Sequence, residues 1–483
     1  MRKSVAKRGR VGIQVSLAFK ICVLKMGLHS DKNNGVKAQL RTRFPQAFKE
    51  FDDLVEARNA SRATREQAYA CIDGNVIMMA VPKAATTLDS YIAIVFSSLK
   101  KAIATTMLTV VVFDEPDTLT EAKLQEQAKR DSRSLATAVN SSQDLRPSSL
   151  SDEYDKQYIS GVQDVHELVF SRKSRMRFFD EVAVTVMDRL KAQIKKWNDS
   201  GHAGGHVVFD GIDARGADRP SGEARAPGLL SSSEEAAQLF ARDFDIGEGD
   251  LKLAFVGRTM RGVATREGIM KDATLGLTCT IDTDSFAIEL IEEAKRHCHS
   301  ETTPVNTLLC MRERAKRGLA DEDNKAFYLC CDIALLHELL KRHMWGTCRS
   351  PTPLDHRAAI TLMAAGWALC GCDFVELKGM RSDVVFEAMP ELVKTRTDSL
   401  DKMKYAWTGK REDLLETHLP MKDLLVMCAS RLMDIPRIKK DKVPGIRSPN
   451  EMVLKQTSWL SSYWNGWEHK GNLEDFGYFR PFA

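Results

Sequence analysis

No uninterrupted apolar stretch in this chain approaches the ~18 residues that a membrane helix requires, the apolar runs being short pieces such as that within 109–113. Its eleven cysteines never form a CxxC. The near pairs Cys330–Cys331 and Cys370–Cys372 fit neither a disulfide framework nor a zinc knuckle. These absences predict a soluble, reduced, intracellular protein with no membrane partner. His297-Cys298-His299 is read as a helix end, because three consecutive residues point apart on a helix and no second cluster completes four ligands. No GxGxxG follows the first strand, and neither a GxxxxGKS/T loop nor a GxSxG elbow occurs. Nucleotide cofactors held on a glycine-rich loop and serine-nucleophile hydrolysis are thereby set aside.

What is present is an ordinary globular composition, 43% hydrophobic over 483 residues, enough for a large core. The net charge of +4 is unevenly placed. Residues 1–25 carry seven Lys or Arg and no acid (Arg2, Lys3, Lys7, Arg8, Arg10, Lys20, Lys25), which leaves −3 for the other 458. A nucleic-acid role therefore has to rest on local basic patches rather than on net charge. The leader itself reads as a basic arm, an organelle-targeting segment, or a stretch upstream of a functional start at Met26.

The hydrophobic pattern predicts alternating strands and helices. Strands are expected at 70–73, 108–114, 277–281, 305–311 and 327–332. Helices are expected at about 86–104, 120–133, 176–198, from 233, from 250, and at 285–297, 333–343 and 353–371. Such alternation argues for an α/β, doubly wound, mainly parallel sheet flanked by helices. Three parts are expected: a basic extension 1–25, a core 26–395 with flexible insertions at about 134–175 and 199–232, and a mostly helical region 396–483. The second insertion holds seven glycines with Pro220 and Pro227.

Acids at strand ends draw attention, because ligands of open α/β sheets bind beyond the carboxyl ends of the strands. Asp73 follows Cys71-Ile72, Asp114 follows Val110–Phe113, Asp282 and Asp284 close the 277–281 strand, and Asp373 follows the 353–371 helix. On extended backbone the i, i+2 spacing of Asp282 and Asp284 puts both carboxylates on one face. Gly247-Glu248-Gly249-Asp250 opens a helix with two acids between flexible glycines. An all-oxygen set suits hard divalent cations, two of which activate a water and stabilise a leaving oxygen.

In this order the motifs resemble the flap endonuclease, XPG-type and 5'-3' exoribonuclease superfamily with its PIN-like core. Met26-Gly27-Leu28 resembles its start, Ile72-Asp73-Gly74-Asn75 and Val112-Phe113-Asp114 its first two metal-binding strand ends, and Ile281-Asp282-Thr283-Asp284 its later acid pair. Gly371-Cys372-Asp373-Phe374 resembles its last metal aspartate. Gly247–Lys252 is similar to the exoribonuclease form of the paired-acid motif, with Asp250 where a second Glu is usual.

The resemblance implies a metal site of Asp73, Asp114, Glu248, Asp250, Asp282, Asp284 and Asp373 holding two Mg²⁺ or Mn²⁺ ions. It further implies a gateway helix whose Lys123, Lys129 and Arg130 act on the scissile phosphate, and nucleic-acid contacts from Gly27, Arg133, Lys378 and Arg381. The implied activity is that of a monomeric 5' nuclease on DNA, flap-type or exonucleolytic, at a site of DNA synthesis such as the nucleus and alongside replication or repair proteins. RNA is the alternative substrate, and an inactive PIN-like binding module is a third reading that predicts missing carboxylates. At Leu377–Ser382 only one glycine of the family's Gly-x-Gly hairpin remains. Trp459, Tyr463, Trp464 and Trp467 form an aromatic cluster that either stacks bases or packs a terminal helix.

Overall fold

The computed structural model describes residues 35–115, 164–169, 172–202, 204–220, 223–242, 246–247, 249–263, 269–270, 273–296, 305–314, 326–346, 351–369, 382–395 and 400–401. Among these the strands are β1 Phe48–Phe51, β2 Ala68–Asp73, β3 Leu108–Val112, β4 His206–Ile212, β5 Gly228–Ser231, β6 Leu275–Thr280, β7 Asn306–Arg314 and β8 Ala326–Asp332. The helices are α1 Val36–Arg43, α2 Leu54–Ala60, α3 Gly74–Met78, α4 Leu88–Thr105, α5 Arg172–Asp199, α6 Glu234–Leu239, α7 Gly249–Val263, α8 Asp284–Arg296, α9 Ile333–Trp345, α10 Pro353–Leu369 and α11 Ser382–Thr395.

The strands form one mixed sheet in the order β1-β8-β7-β6-β2-β3-β4-β5. Its five central strands are parallel, joined pairwise from β7 to β4. Antiparallel strands close both edges: β8 and β1 on one side, β5 on the other. The β2–α4–β3 crossover has the parallel pairing that its sequence pattern predicts. Thr87 starts α4 by a capping box with Ser90, which removes two otherwise unsatisfied amides from the helix end.

Both faces of the sheet are covered. Successive β2 side chains alternate, Ala68, Ala70 and Ile72 packing with α4 and α5, Tyr69 and Cys71 with Leu253, Val256 and Met260 of α7. Towards β7 this second face is covered by α8, α9, α10 and α11. Every residue of β2 and β3 is buried, as strands enclosed on both sides must be, and this is why they read as continuous apolar runs. No helix among the described residues is long and apolar enough to cross a membrane.

Two readings of the chain are corrected. Residues 199–232 are not simply a flexible insertion, because β4 and β5 lie inside them. Val207, Val208, Phe209 and Ile212 are buried, β4 running parallel to β3. The glycines and prolines that suggested flexibility stand mainly around these strands. At Gly211, inside β4, φ is +89° and marks a register shift against β5. The 134–175 stretch ends in structure as well, since Val165 and Leu168 are buried and α5 begins at Arg172. The helix expected at 120–133, the rest of that insertion and the chain beyond 401 lie outside the described residues.

Candidate metal centre

Sheet register decides which acids meet. Asp73, the last residue of β2, pairs in register with Val112 of β3, and Ile72 with Cys279 of β6. Asp114 and Asp282 thus stand just beyond the ends of the two strands flanking β2. Three neighbouring parallel strands end in carboxylates on the same edge, the edge at which an open α/β sheet receives its ligand.

Local bonding fixes these acids. Asp73 caps α3, accepting from the Asn75 amide at 2.8 Å, and Gly74 is pressed so closely against the Phe113 ring that a Cβ would collide with it. The Asp282 amide donates to Thr280 Oγ1 at 3.0 Å, and the Asp284 amide donates to Asp282 Oδ1 at 3.1 Å. Asp73, Asp282 and Asp284 are all buried. The extended geometry expected for Asp282 and Asp284 is corrected: β6 stops at Thr280 and Asp284 is the first residue of α8. The polar run 282–285 turns into a helix there, with Asp282 accepting the Asp284 amide.

The first turn of α7 connects the two sides. Gly249 donates its amide to Asp114 Oδ1 at 2.8 Å, and Asp250 Oδ1 accepts from Ser285 Oγ at 3.0 Å, next to Asp284. Five of the seven expected metal acids, Asp73, Asp114, Asp250, Asp282 and Asp284, therefore belong to strand ends and helix starts at one edge. Glu248 and Asp373 lie outside the described residues, as do Lys123, Lys129, Arg130, Gly27, Arg133, Lys378 and Arg381.

Sequence reasoning missed Ser285 and a buried charge network behind Asp114. The tetrapeptide Val-Val-Phe-Asp occurs twice, at 111–114 and 207–210. The second copy was the available signal. Val112 pairs with Asp210, so Asp210 sits within the ladder while Asp114 projects past it. Arg242 grips Asp210 at 2.7 and 3.0 Å, and fully buried Lys252 lies 3.3 Å from it while bonding to Glu115 and, at 2.8 Å, to the Phe113 carbonyl. Burial pulls the Asp210 pKa upward, but Lys252 and Arg242 outweigh it and hold the carboxyl below its ordinary range. Burial dominates at Glu115 and raises its pKa, with Lys252 opposing. A second network follows β4: Arg225 chelates Asp180 at 2.7 and 2.9 Å, and Arg215 chelates Asp213 at 2.7 and 3.0 Å.

No family model and no curated protein matches the chain. The case for a metal thus rests on the residues themselves. Their donor set is carboxylate oxygen only, which suits Mg²⁺ or Mn²⁺ and not a thiophilic ion. Among the described residues no group of three or more His, Cys, Asp or Glu side chains stands together so as to hold a metal ion; Glu248 and Asp373 lie outside them.

Proposed function

We propose that the chain is a divalent-metal-dependent 5' nuclease with a PIN-like core, hydrolysing phosphodiester bonds of DNA. One observation carries this reading: Asp73, Asp114 and Asp282 end three adjacent parallel strands at a single edge, with Asp250 and Asp284 joined to them through α7 and α8. Asp73, Asp114, Glu248, Asp250, Asp282, Asp284 and Asp373 would hold two divalent metal ions. Bound Mg²⁺ or Mn²⁺ supplies Lewis-acid stabilisation of phosphoryl charge and a more acidic water. Gly249 and Ser285 keep Asp114 and Asp250 oriented, while burial of Asp73, Asp282 and Asp284 limits the water that competes for them. In this proposal Lys123, Lys129 and Arg130 hold the scissile phosphate.

RNA is a second reading with an observation of its own. The stretch Gly247–Lys252, similar to the exoribonuclease form, is built into the site through the Gly249 amide and the buried Lys252.

End-labelled 5'-flap DNA, blunt duplex, single-stranded DNA and single-stranded RNA, each with Mg²⁺, Mn²⁺ or excess EDTA, test both readings. Metal-dependent 5' cleavage of flap or recessed DNA supports the first, and 5'-3' degradation confined to RNA supports the second. No metal-dependent cleavage of any substrate contradicts both.

A further inference from the structure

Phe113 and Glu115, the two neighbours of Asp114, are both held by one side chain. Lys252 Nζ donates to the Phe113 carbonyl at 2.8 Å and to Glu115 Oε1, with Asp210 Oδ1 at 3.3 Å. The same segment is bracketed along its backbone, the Phe113 amide donating to Asp210 O at 2.8 Å and the Glu115 amide to Gly247 O at 2.7 Å. We propose that Lys252 is a positioning residue of the metal centre, tethering 113–115 to α7 so that the Asp114 carboxylate stays against the Gly249 amide. The proposal rests on the reading of the strand-end acids as a metal centre.

Three features argue for a tether rather than simple charge balance. Arg242 already neutralises Asp210 through two bonds, and its Nη2 also lies 4.0 Å from Glu115. Asp210 thus keeps two hydrogen bonds that do not involve Lys252. Lys252 further spends a hydrogen bond on a neutral main-chain carbonyl, which contributes nothing to charge balance but fixes the backbone immediately before Asp114. The approach is built for it: at Gly211 a Cβ would stand 2.6 Å from both Lys252 Nζ and the Phe113 carbonyl oxygen. At φ +89° glycine is also the residue that adopts this backbone without strain.

Among the described residues the network holds the cations Lys252 and Arg242 and the carboxylates Glu115 and Asp210, so a balanced replacement exists. Lys252→Met with Glu115→Gln removes one charge of each sign and leaves the Asp210–Arg242 pair intact. Mn²⁺ binding by titration calorimetry, with thermal unfolding of the same samples, separates the roles. The tether predicts a folded double variant whose Mn²⁺ dissociation constant rises about tenfold or more, the usual effect of losing an outer-sphere partner. Unchanged Mn²⁺ affinity in that folded variant overturns the positioning role and leaves the metal-centre reading standing. A parent chain that binds no Mn²⁺ overturns both.

Hydrogen exchange on the parent chain decides the matter if the variant does not fold. The amides of residues 113–115 are expected to be protected to the same degree with and without Mn²⁺, because Lys252 and the Asp210 and Gly247 carbonyls order the segment beforehand. Protection that appears only with Mn²⁺ overturns the proposal.

Discussion

The amide of Gly249 donates to Asp114 Oδ1 at 2.8 Å, and that oxygen lies only 3.0 Å from where a Cβ on residue 249 would stand. The carboxylate after β3 and the first residue of α7 are thus fitted to each other, and a side chain at 249 has to move the acid. Gly249→Ala is expected to weaken Mn²⁺ binding and cleavage by about tenfold, as loss of a ligand-orienting contact does, with little change in thermal midpoint. Calorimetric Mn²⁺ affinity beside a melting curve checks this. Affinity equal to the parent's would mean that the approach has no functional weight.

Asp213 links stability to pH. Buried, it accepts from Arg215 Nε at 3.0 Å and Nη2 at 2.7 Å and from the Ala226 amide at 3.0 Å. Burial alone would raise its pKa, but these bonds outweigh that and hold it well below the carboxylate range. A depressed folded pKa means a contribution fully present above the unfolded value of about 4 and lost as pH falls below it toward the folded value. The thermal midpoint is expected to drop on acidification below about pH 4, and Asp213→Asn to flatten that drop while lowering stability at neutral pH. Superimposable pH profiles for the two proteins would contradict this.

The five described cysteines, Cys71, Cys279, Cys310, Cys330 and Cys331, are buried. Cys310 Sγ lies 3.1 Å from Cys330 Sγ, and Cys279 is its register partner on the other side. Hydrogen bonds with Cys279 and Cys330, together with burial, push the Cys310 thiol well up, and burial does the same at Cys331. Thiolates are the reactive form. Iodoacetamide labelling mapped by peptide mass spectrometry is expected to leave these five unmodified in the native protein and to reach them after denaturation. Rapid native labelling of Cys310 would show that the sheet is not packed as described.

The legible parts of the fold were those whose sequence states both an end and a period. Strands β2, β3 and β6 are apolar runs that stop at an acid or just before one, and α4 carries its own cap, so Asp73, Asp114 and Asp282 could be named in advance. Strand β4 was hidden because Gly201, Gly204 and Gly205 precede it, Gly211 interrupts it and Gly216 and Pro220 follow, so average composition masked a short buried segment. The two Val-Val-Phe-Asp copies carry the same local information and meet opposite fates, since pairing register alone leaves Asp114 beyond the ladder and Asp210 inside it. The burial of Lys252 was not legible for the same reason: its partners come from residues 113, 115 and 210, and no helical period reports them. The i, i+2 spacing of Asp282 and Asp284 was read as strand because periodicity does not show that Asp282 ends the strand by accepting the first amide of a helix.

The strand-end acids are proposed to act together as a metal centre for phosphodiester hydrolysis. Asparagine at Asp282 and Asp284 removes both charges while keeping an acceptor oxygen at the start of α8, where alanine would lose the cap at a cost of about 1 kcal/mol. Cleavage of labelled flap DNA and single-stranded RNA by the Asp282→Asn/Asp284→Asn protein, in Mg²⁺ or Mn²⁺, is the most direct measurement. A fall to the EDTA background with the melting temperature retained is the result this account predicts. Cleavage at the parent rate by the folded double variant would contradict it.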